Sequence, residues 1–226
     1  MMKSDTKNFL LDIIFPNRCP FCDGFIKWDK LSCGTCYDKI EWHDKEYDIY
    51  DESDKDGVTD HQYFIAAHYS GLMQAAIIKL KYNIDVNLVK LAAGEICRKL
   101  EDLGISREID CVIPVPMGRK KKRLIGYNHA EVIADELAAL LKTRKRTDCI
   151  FKHDSKKAQH TMTAAERAEN VKDQYFMSDK VTLKGKTILL CDDVITTGAT
   201  VRKCAELIKL LGAEKIFIAA IAGSKG

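Results

Sequence analysis

The chain has 226 residues, 36 lysines and arginines against 33 acids, a net charge of +3 and a 46% share of hydrophobic residues. That share excludes an intrinsically disordered chain, and the length leaves room for one main domain with a small appendage. The mild net charge neither demands nor excludes phosphorylated ligands or nucleic acid, and no apolar run is long enough to span a membrane.

The first apolar cluster, "FLLDIIF" over residues 9–15, is short, interrupted by Asp12 and without a signal-cleavage pattern, so it reads as a short packing helix. Behind it, "CPFC" (Cys19, Cys22) and "CGTC" (Cys33, Cys36) form two CxxC pairs separated by ten residues. Each pair can set two thiolates on one side of a tight knuckle, and four soft ligands make a closed tetrahedral Zn²⁺ site. A redox CxxC is the rival reading for one pair; two pairs at this spacing favour metal. So small a module has almost no core of its own, so metal is expected to stabilise it. His43, His61 and His68 lie nearby, but a four-cysteine site needs none of them. The other five cysteines, Cys97, Cys111, Cys149, Cys191 and Cys204, sit in apolar periodic runs and read as buried small hydrophobes. Nine cysteines without a secretion signal imply a reducing, cytoplasmic compartment.

Residues 44–60, "DKEYDIYDESDKDGVTD", carry eight acids and two lysines, net 2 − 8 = −6, so the rest of the chain carries +3 + 6 = +9. This stretch reads as a linker or surface loop. It divides a zinc-binding module over residues 1–43 from a main domain over 61–226.

Beyond residue 60, strands and helices alternate. "YFIAAHYS" reads as a strand. "GLMQAAIIKLKY" follows as a helix with Leu72, Met73, Ala76, Ile77 and Leu80 on one face, and a second helix covers residues 86–103. "CVIPVPM" is a buried strand running into a Pro-rich loop. "NHAEVIADELAALLK" is an amphipathic helix expected to turn Ile133, Leu137, Leu140 and Leu141 inward. The basic "KTRKR" is placed at its end, where cations suit the helix dipole. A further strand is expected near residues 149–152, and "KIFIAAIAG" supplies the last. Repeated strand–helix units imply an α/β fold, a parallel sheet with helices on both faces, whose ligands bind at the carboxyl ends of the strands.

Two such ends carry chemistry. In "ILLCDDVITTGAT" a buried apolar strand leads into Asp192 and Asp193, then a turn of small hydroxyl residues and glycine, then a helix with Val201, Ala205, Ile208 and Leu210 or Leu211 on one face. A helix N-terminus is an anion site, with phosphate its usual occupant. A ligand with a phosphate and neighbouring hydroxyls satisfies both halves: phosphate in the turn, diol or Mg²⁺ on the acids. Either half alone is also what a capped helix or two solvated aspartates would look like; the full order is the specific signal. In "IPVPMGRKKKRLIGYNHAE", Met117, Gly118, Arg119 and Lys120 follow the buried strand as a basic loop. A pyrophosphate could bind there, opposite the phosphate turn. Alone, the same run would read as a solvated loop.

The strand–Asp–Asp–x–x–Thr–Thr–Gly–x–Thr–helix order resembles the phosphoribosyl-pyrophosphate (PRPP) signature of type I phosphoribosyltransferases. In sequence order, the four cysteines, "KLKY", "VIPVP", "GYN", a run through Gln159, Arg167, Asn170, Val171 and Phe176, and that signature resemble the ComF family of competence proteins over nearly the whole chain. The resemblance implies a type I phosphoribosyltransferase-like sheet behind a zinc module. It implies that Asp192 and Asp193 hold the ribose and are the catalytic acids, and that Thr196, Thr197, Gly198, Ala199 and Thr200 cradle the 5′-phosphate. Met117, Gly118, Arg119 and Lys120 would then face the pyrophosphate with Mg²⁺. The family usually has Arg-Gly-Phe-Asn-Gln where this chain has Ile125, Gly126, Tyr127, Asn128 and His129. Ile125 removes one expected cation, for which Arg123 is the nearest substitute.

ComF-like proteins are linked to handling incoming single-stranded DNA in natural transformation, and no settled transferase reaction comes with the resemblance. The expected ligands are therefore PRPP and single-stranded DNA, the latter on Lys120, Lys121, Lys122, Arg123 and the zinc knuckle, with DNA-uptake or recombination proteins as partners. The alternative is an active Mg²⁺-dependent transferase releasing pyrophosphate, with residues 156–167 as a closing loop. No group that positions its nucleophile is identifiable from the sequence.

Overall fold

Strand β1 (Gln62–His68) lies at one edge of a five-stranded sheet, followed in chain order by helices α2 (Gly71–Leu80) and α3 (Val86–Asp102). The short helix α1 (Gly34–Tyr37) precedes it. Next come β2 (Cys111–Pro114), α4 (Arg119–Ile125), α5 (His129–Leu140), β3 (Arg144–Lys145), β4 (Ile150–Lys152), β5 (Tyr175–Met177), β6 (Thr187–Ile195), α6 (Ala199–Leu210) and β7 (Lys215–Gly223). This is a computed structural model, and it describes residues 16–43, 61–154 and 174–224. The expected packing helix at 9–15, the acidic linker at 44–60 and the closing loop at 156–167 lie outside the described residues, as do Gln159, Arg167, Asn170 and Val171.

The sheet order is β1-β7-β6-β2-β3, and every pairing in it is parallel. The fold is thus the expected α/β type: a parallel sheet with helices on both faces. Alternation along the strands decides the faces. Val112, Leu189, Cys191, Phe217 and Ala219 pack with α2, α3 and α5; Ile113, Ile188, Leu190, Ile216 and Ile218 pack with α6. Helix α3 shows why the sequence forms a helix here. Asp85 caps it, its carboxylate accepting the Leu88 N–H at 3.1 Å. Leu88, Ala92, Ile96 and Leu100 recur on one buried stripe, each fully buried leucine or isoleucine contributing about 1.5–3 kcal/mol.

Four local expectations change. Residues 119–125 form a helix, α4, rather than a loop: the arginine and lysines are good helix formers, but without an apolar period they give no sequence signal. "KTRKR" does not end α5, which stops at Leu140. Lys142 turns the chain at φ 53°, and Arg144 and Lys145 become the edge strand β3 on β2. Leu140 faces solvent and only Leu141 packs against the core; likewise Leu211, not Leu210, completes the α6 face. The strand near 149–152 does not join the parallel sheet. It pairs antiparallel with β5, and this two-stranded ribbon packs beside α6.

Residues 16–43 do not stand apart. Cys19, Phe21, Cys36 and Ile40 belong to the same buried cluster as α2 and α3. Trp42 bridges to Ala67 of β1, Tyr37 Oη donates to Glu95 of α3 at 3.0 Å, and Lys99 Nζ donates to the carbonyls of His43 and Ile65. The module therefore borrows the main core.

Candidate functional site

The four N-terminal thiols converge. Cys19, Cys22, Cys33 and Cys36 place their sulfurs within 4.8 Å of one another, and among the described residues no histidine joins the group. The first pair sits on a knuckle in which Asp23 N–H donates to the Cys19 carbonyl and Cys19 N–H to the Gly24 carbonyl, both at 2.9 Å, with Asp23 at φ 61°. The Cys22 and Cys33 sulfurs are 3.8 Å apart. Four sulfurs about 2.3 Å from one Zn²⁺ in a tetrahedron stand about 3.8 Å from each other, so the residues fit the metal. Burial raises the Cys19 thiol, but hydrogen bonds from the Cys33, Cys22 and Phe21 backbone outweigh it and hold it down to about 7. Burial pushes Cys36 up to about 12. A bound Zn²⁺ would reverse that preference by displacing the proton.

The second site lies at the carboxyl ends of β2 and β6. Strand β6 continues through the acids to Ile195, so Asp192 and Asp193 are consecutive strand residues on opposite faces rather than loop residues beyond it. The Asp193 N–H donates to Asp192 Oδ1 at 2.9 Å and the Val194 N–H to Asp193 Oδ1 at 2.8 Å, which fixes both carboxylates. Burial and the neighbouring charge of Asp193 raise the Asp192 carboxyl well above the ordinary range. Thr196, Thr197, Gly198, Ala199 and Thr200 then wrap a small hollow of about 50 Å³ at the N-terminus of α6. Gly198 is needed there: at φ 72° an added Cβ would also stand 2.7 Å from Arg202 Nη1.

A larger cavity of about 470 Å³ shares Asp192 and Thr200 with that hollow. Met117, Gly118 and Lys120 line its opposite wall, with Lys121 beside them. The wall is held close because Gly118 has no side chain. A Cβ would lie 2.9 Å from Asp154 Oδ1, the same oxygen that accepts the Lys120 N–H at 2.8 Å. Arg119, Lys122 and Arg123 share α4 with Lys120 but do not line the cavity. Lys122 is engaged with Glu131 at 2.6 Å, while Arg119 and Arg123 are exposed.

Several lining residues were given no role from the sequence. Lys152 and Tyr175 face each other across the β4–β5 ribbon, and Lys152 Nζ donates to Tyr175 Oη at 2.8 Å. Burial lowers the Lys152 ammonium, with Lys121 adding repulsion, and burial raises the Tyr175 hydroxyl. Thr200 also hydrogen-bonds Tyr175, so the ribbon is tied to the phosphate turn. Lys81, from the "KLKY" run, closes another side. Asn128 caps α5 through Ala130 N–H at 3.3 Å and donates to the Val115 carbonyl at 2.9 Å, seating His129 in the wall. The arrangement offers paired carboxylates, an anion-binding turn and a lysine-rich wall around one cavity.

Known proteins bear on the same residues. A phosphoribosyl transferase domain matches residues 89–226 and a double zinc ribbon domain residues 10–47. The chain is 22% identical over 202 residues to competence protein F of Haemophilus influenzae, covering 88% of this chain and 81% of that one. It is 23% identical over 203 residues to DNA utilization protein YhgH of Escherichia coli O6:H1, covering 88% and 80%. Among solved structures, a purine phosphoribosyltransferase from Pyrococcus horikoshii Ot3 matches at 21% identity and a TM-score of 0.40, over 60% of this chain and 73% of that one. With the transferase domain matching more than half of its length and the zinc ribbon matching in front, the chain belongs to the phosphoribosyl transferase domain family, and it resembles competence protein F and DNA utilization protein YhgH over 88% of its length.

Proposed function

We propose that the protein binds PRPP, or a related ribose 5-phosphate ligand, with Mg²⁺, and binds single-stranded DNA, in support of DNA uptake and natural transformation. The observation that carries the ligand reading is one shared wall: Asp192 and Thr200 line both the turn hollow and the larger cavity, whose far side holds Gly118 and Lys120. In this reading the 5′-phosphate takes the α6 N-terminus, the ribose hydroxyls donate to the two aspartates, and the pyrophosphate lies against the lysine wall. Mg²⁺ supplies charge neutralisation between ligand oxygens. Asp192 and Asp193 provide the negative potential that draws it in. The zinc module is structural.

Calorimetry with PRPP and Mg²⁺ tests this. The parent is expected to bind, and Asp192→Ala with Asp193→Ala to lose at least about 100-fold in affinity, about 2.7 kcal/mol, without a fall in melting temperature. Unaltered affinity in the double variant would place the ligand elsewhere. The alternative, an active transferase, is favoured by the same opposed walls, which give a departing pyrophosphate a cationic seat. Pyrophosphate release with candidate acceptors is its readout.

The DNA reading rests on α4, whose exposed cations continue outward from the cavity rim, and on the DNA-related names of the relatives. Each phosphate contact with a single strand contributes about 0.7 to the slope of log affinity against log salt. Replacing Lys120, Lys121, Lys122 and Arg123 by Ala is expected to flatten that slope by about 2, the equivalent of roughly three charges, because Glu131 already neutralises Lys122. A labelled-oligonucleotide titration at several salt concentrations checks it. No binding at low salt, or one slope shared by both proteins, removes α4 as a DNA contact.

A further inference from the structure

The three most exposed aromatic side chains among the described residues belong to no core: Tyr82 is 86% exposed, Phe25 72% and Trp28 58%. Single exposed apolar residues are ordinary, but these three are joined by a short series of contacts. The series begins at the basic helix α4. Just past its end, Tyr127 Oη donates to the Leu80 carbonyl at 2.8 Å, and Lys81 shares the large cavity's wall with Lys121 and Ile125. Tyr82 follows, its backbone N–H bonded to the Lys79 carbonyl at 2.9 Å, so the ring projects from a fixed turn. At the start of α3, Asn87 Nδ2 donates to Asn17 Oδ1 at 2.6 Å and to the Arg18 carbonyl at 3.1 Å. Asn17 in turn donates to the carbonyls of Lys27 and Lys30, at 2.9 and 2.8 Å, and so pins the turn that carries Trp28. The Arg18 guanidinium lies over the Phe25 ring, 4.3 Å from its centre.

We infer that this face, from α4 over Tyr82 to the zinc knuckle, is a track for single-stranded DNA, with bases stacked on Tyr82, Phe25 and Trp28 and phosphates held by the cations between them. This rests on the single-stranded DNA reading above and adds contacts that reading does not use. Cations alternate with the rings along the path: Lys121 and Arg123, then Lys81, then Arg18, Lys27 and Lys30. Of the acids beside them, Asp85 caps α3 and Asp23 pairs with Arg18 at 3.6 Å, which leaves Asp29 outnumbered. Exposed rings interleaved with cations suit a strand whose bases are unpaired, because every base has a stacking face and every link a phosphate. A duplex keeps those faces in its own stack, and an apolar peptide gains nothing from the cations. The asparagine bridge fixes the knuckle beside α3, so little has to be ordered when the strand arrives. The knuckle then has a surface role besides its structural one.

The test is a titration of labelled oligothymidylate at several salt concentrations on the zinc-loaded parent, Tyr82→Ala, Tyr82→Phe and Trp28→Ala. Both positions are exposed, so the variants should melt like the parent and keep their zinc. Tyr82→Ala and Trp28→Ala should each weaken binding about 5–10-fold, the low end of one base–aromatic stack, and Tyr82→Phe should bind like the parent. The slope of log affinity against log salt should stay at the parent's value in all of them, because stacking releases no counterions. That separates them from the α4 variant, whose slope flattens. A strand of the same length with abasic sites in place of its bases should bind parent and variants alike, and Trp28 emission should be quenched by the oligothymidylate but not by the abasic strand. A parent that binds no oligonucleotide at low salt overturns the DNA reading, and this inference with it. A parent that binds, with its slope flattened in the α4 variant but its affinity unaltered in Tyr82→Ala and Trp28→Ala, overturns this inference alone. Loss in only one of those two does the same, since the track needs both ends.

Discussion

Chelating the metal, or replacing Cys33 by Ser, is expected to unfold residues 16–43 and to lower the melting temperature of the whole chain. Structural Zn²⁺ on four thiolates contributes about 10–16 kcal/mol of apparent binding energy at neutral pH, as large as the total stability of an ordinary domain. The module has little to replace it. Its buried side chains are few, and they reach the main core only when the knuckle holds Cys19 and Phe21 against it. Loss of the metal therefore also exposes the surface of α3 that receives Tyr37 and the edge of β1 that receives Trp42. The chain's two tryptophans, Trp28 and Trp42, both lie in the module, which gives a direct readout. Trp42 packs against Tyr37 with tilted rings 5.0 Å apart and donates to its carbonyl at 3.3 Å, so its emission should shift to the red on chelation. Metal analysis of the reduced parent should give one zinc per chain and of Cys33→Ser none. Because thiolates bind and thiols do not, the metal should be lost as pH falls. A metal-free protein with unchanged tryptophan emission and melting curve would show that the cysteines are not a structural centre.

What could be read from the sequence, and what could not, follows from where each signal lives. The thiol cluster and the acid–turn–helix order are local: their spacing is itself the chemistry, and the chain needs no long-range contact to reveal it. The buried strands were equally legible as strands, because a buried parallel strand is an unbroken apolar run. Lys152 and Tyr175 were not legible. They stand 23 residues apart and meet only because β4 and β5 pair antiparallel. The two-residue strand β3 is a tertiary decision, made by the free edge of β2 and not by the propensity of Arg144 and Lys145. The basic run at 119–123 showed its charge but not its direction. Only the fold turns Lys120 and Lys121 into the cavity and Lys122 onto Glu131, while Arg119 and Arg123 are left outside. His129 was visible only as a departure from a family pattern. Its place in the cavity wall comes from the Asn128 cap that seats the start of α5.

Asp192→Asn is expected to stabilise the ligand-free protein while abolishing PRPP binding. Burial and the charge of Asp193 hold the Asp192 carboxyl well above its ordinary value. A carboxyl raised in the folded state contributes stability that is complete below its unfolded value, near 3.9, and is lost as pH rises through the folded one. At neutral pH this carboxyl is therefore a strain on the fold, eased only in part by Lys152. Asparagine removes the charge and keeps the oxygen that accepts the Asp193 N–H. Part of the Asp192 side chain faces cavity water, which screens the repulsion, so the gain should be about 1–2 kcal/mol. For a chain of this size that is a rise of roughly 2–8 °C in melting temperature. The sign can be checked against pH: the difference between variant and parent should be largest near neutrality and shrink toward pH 4, where the parent's carboxyl is itself protonated. Saturating PRPP and Mg²⁺ should reverse the order, because the parent alone gains from the ligand. A difference that is negative, or that stays constant with pH, would mean that Asp192 is not the crowded acid of the site. Destabilisation by the charge and affinity for the ligand would then have separate origins.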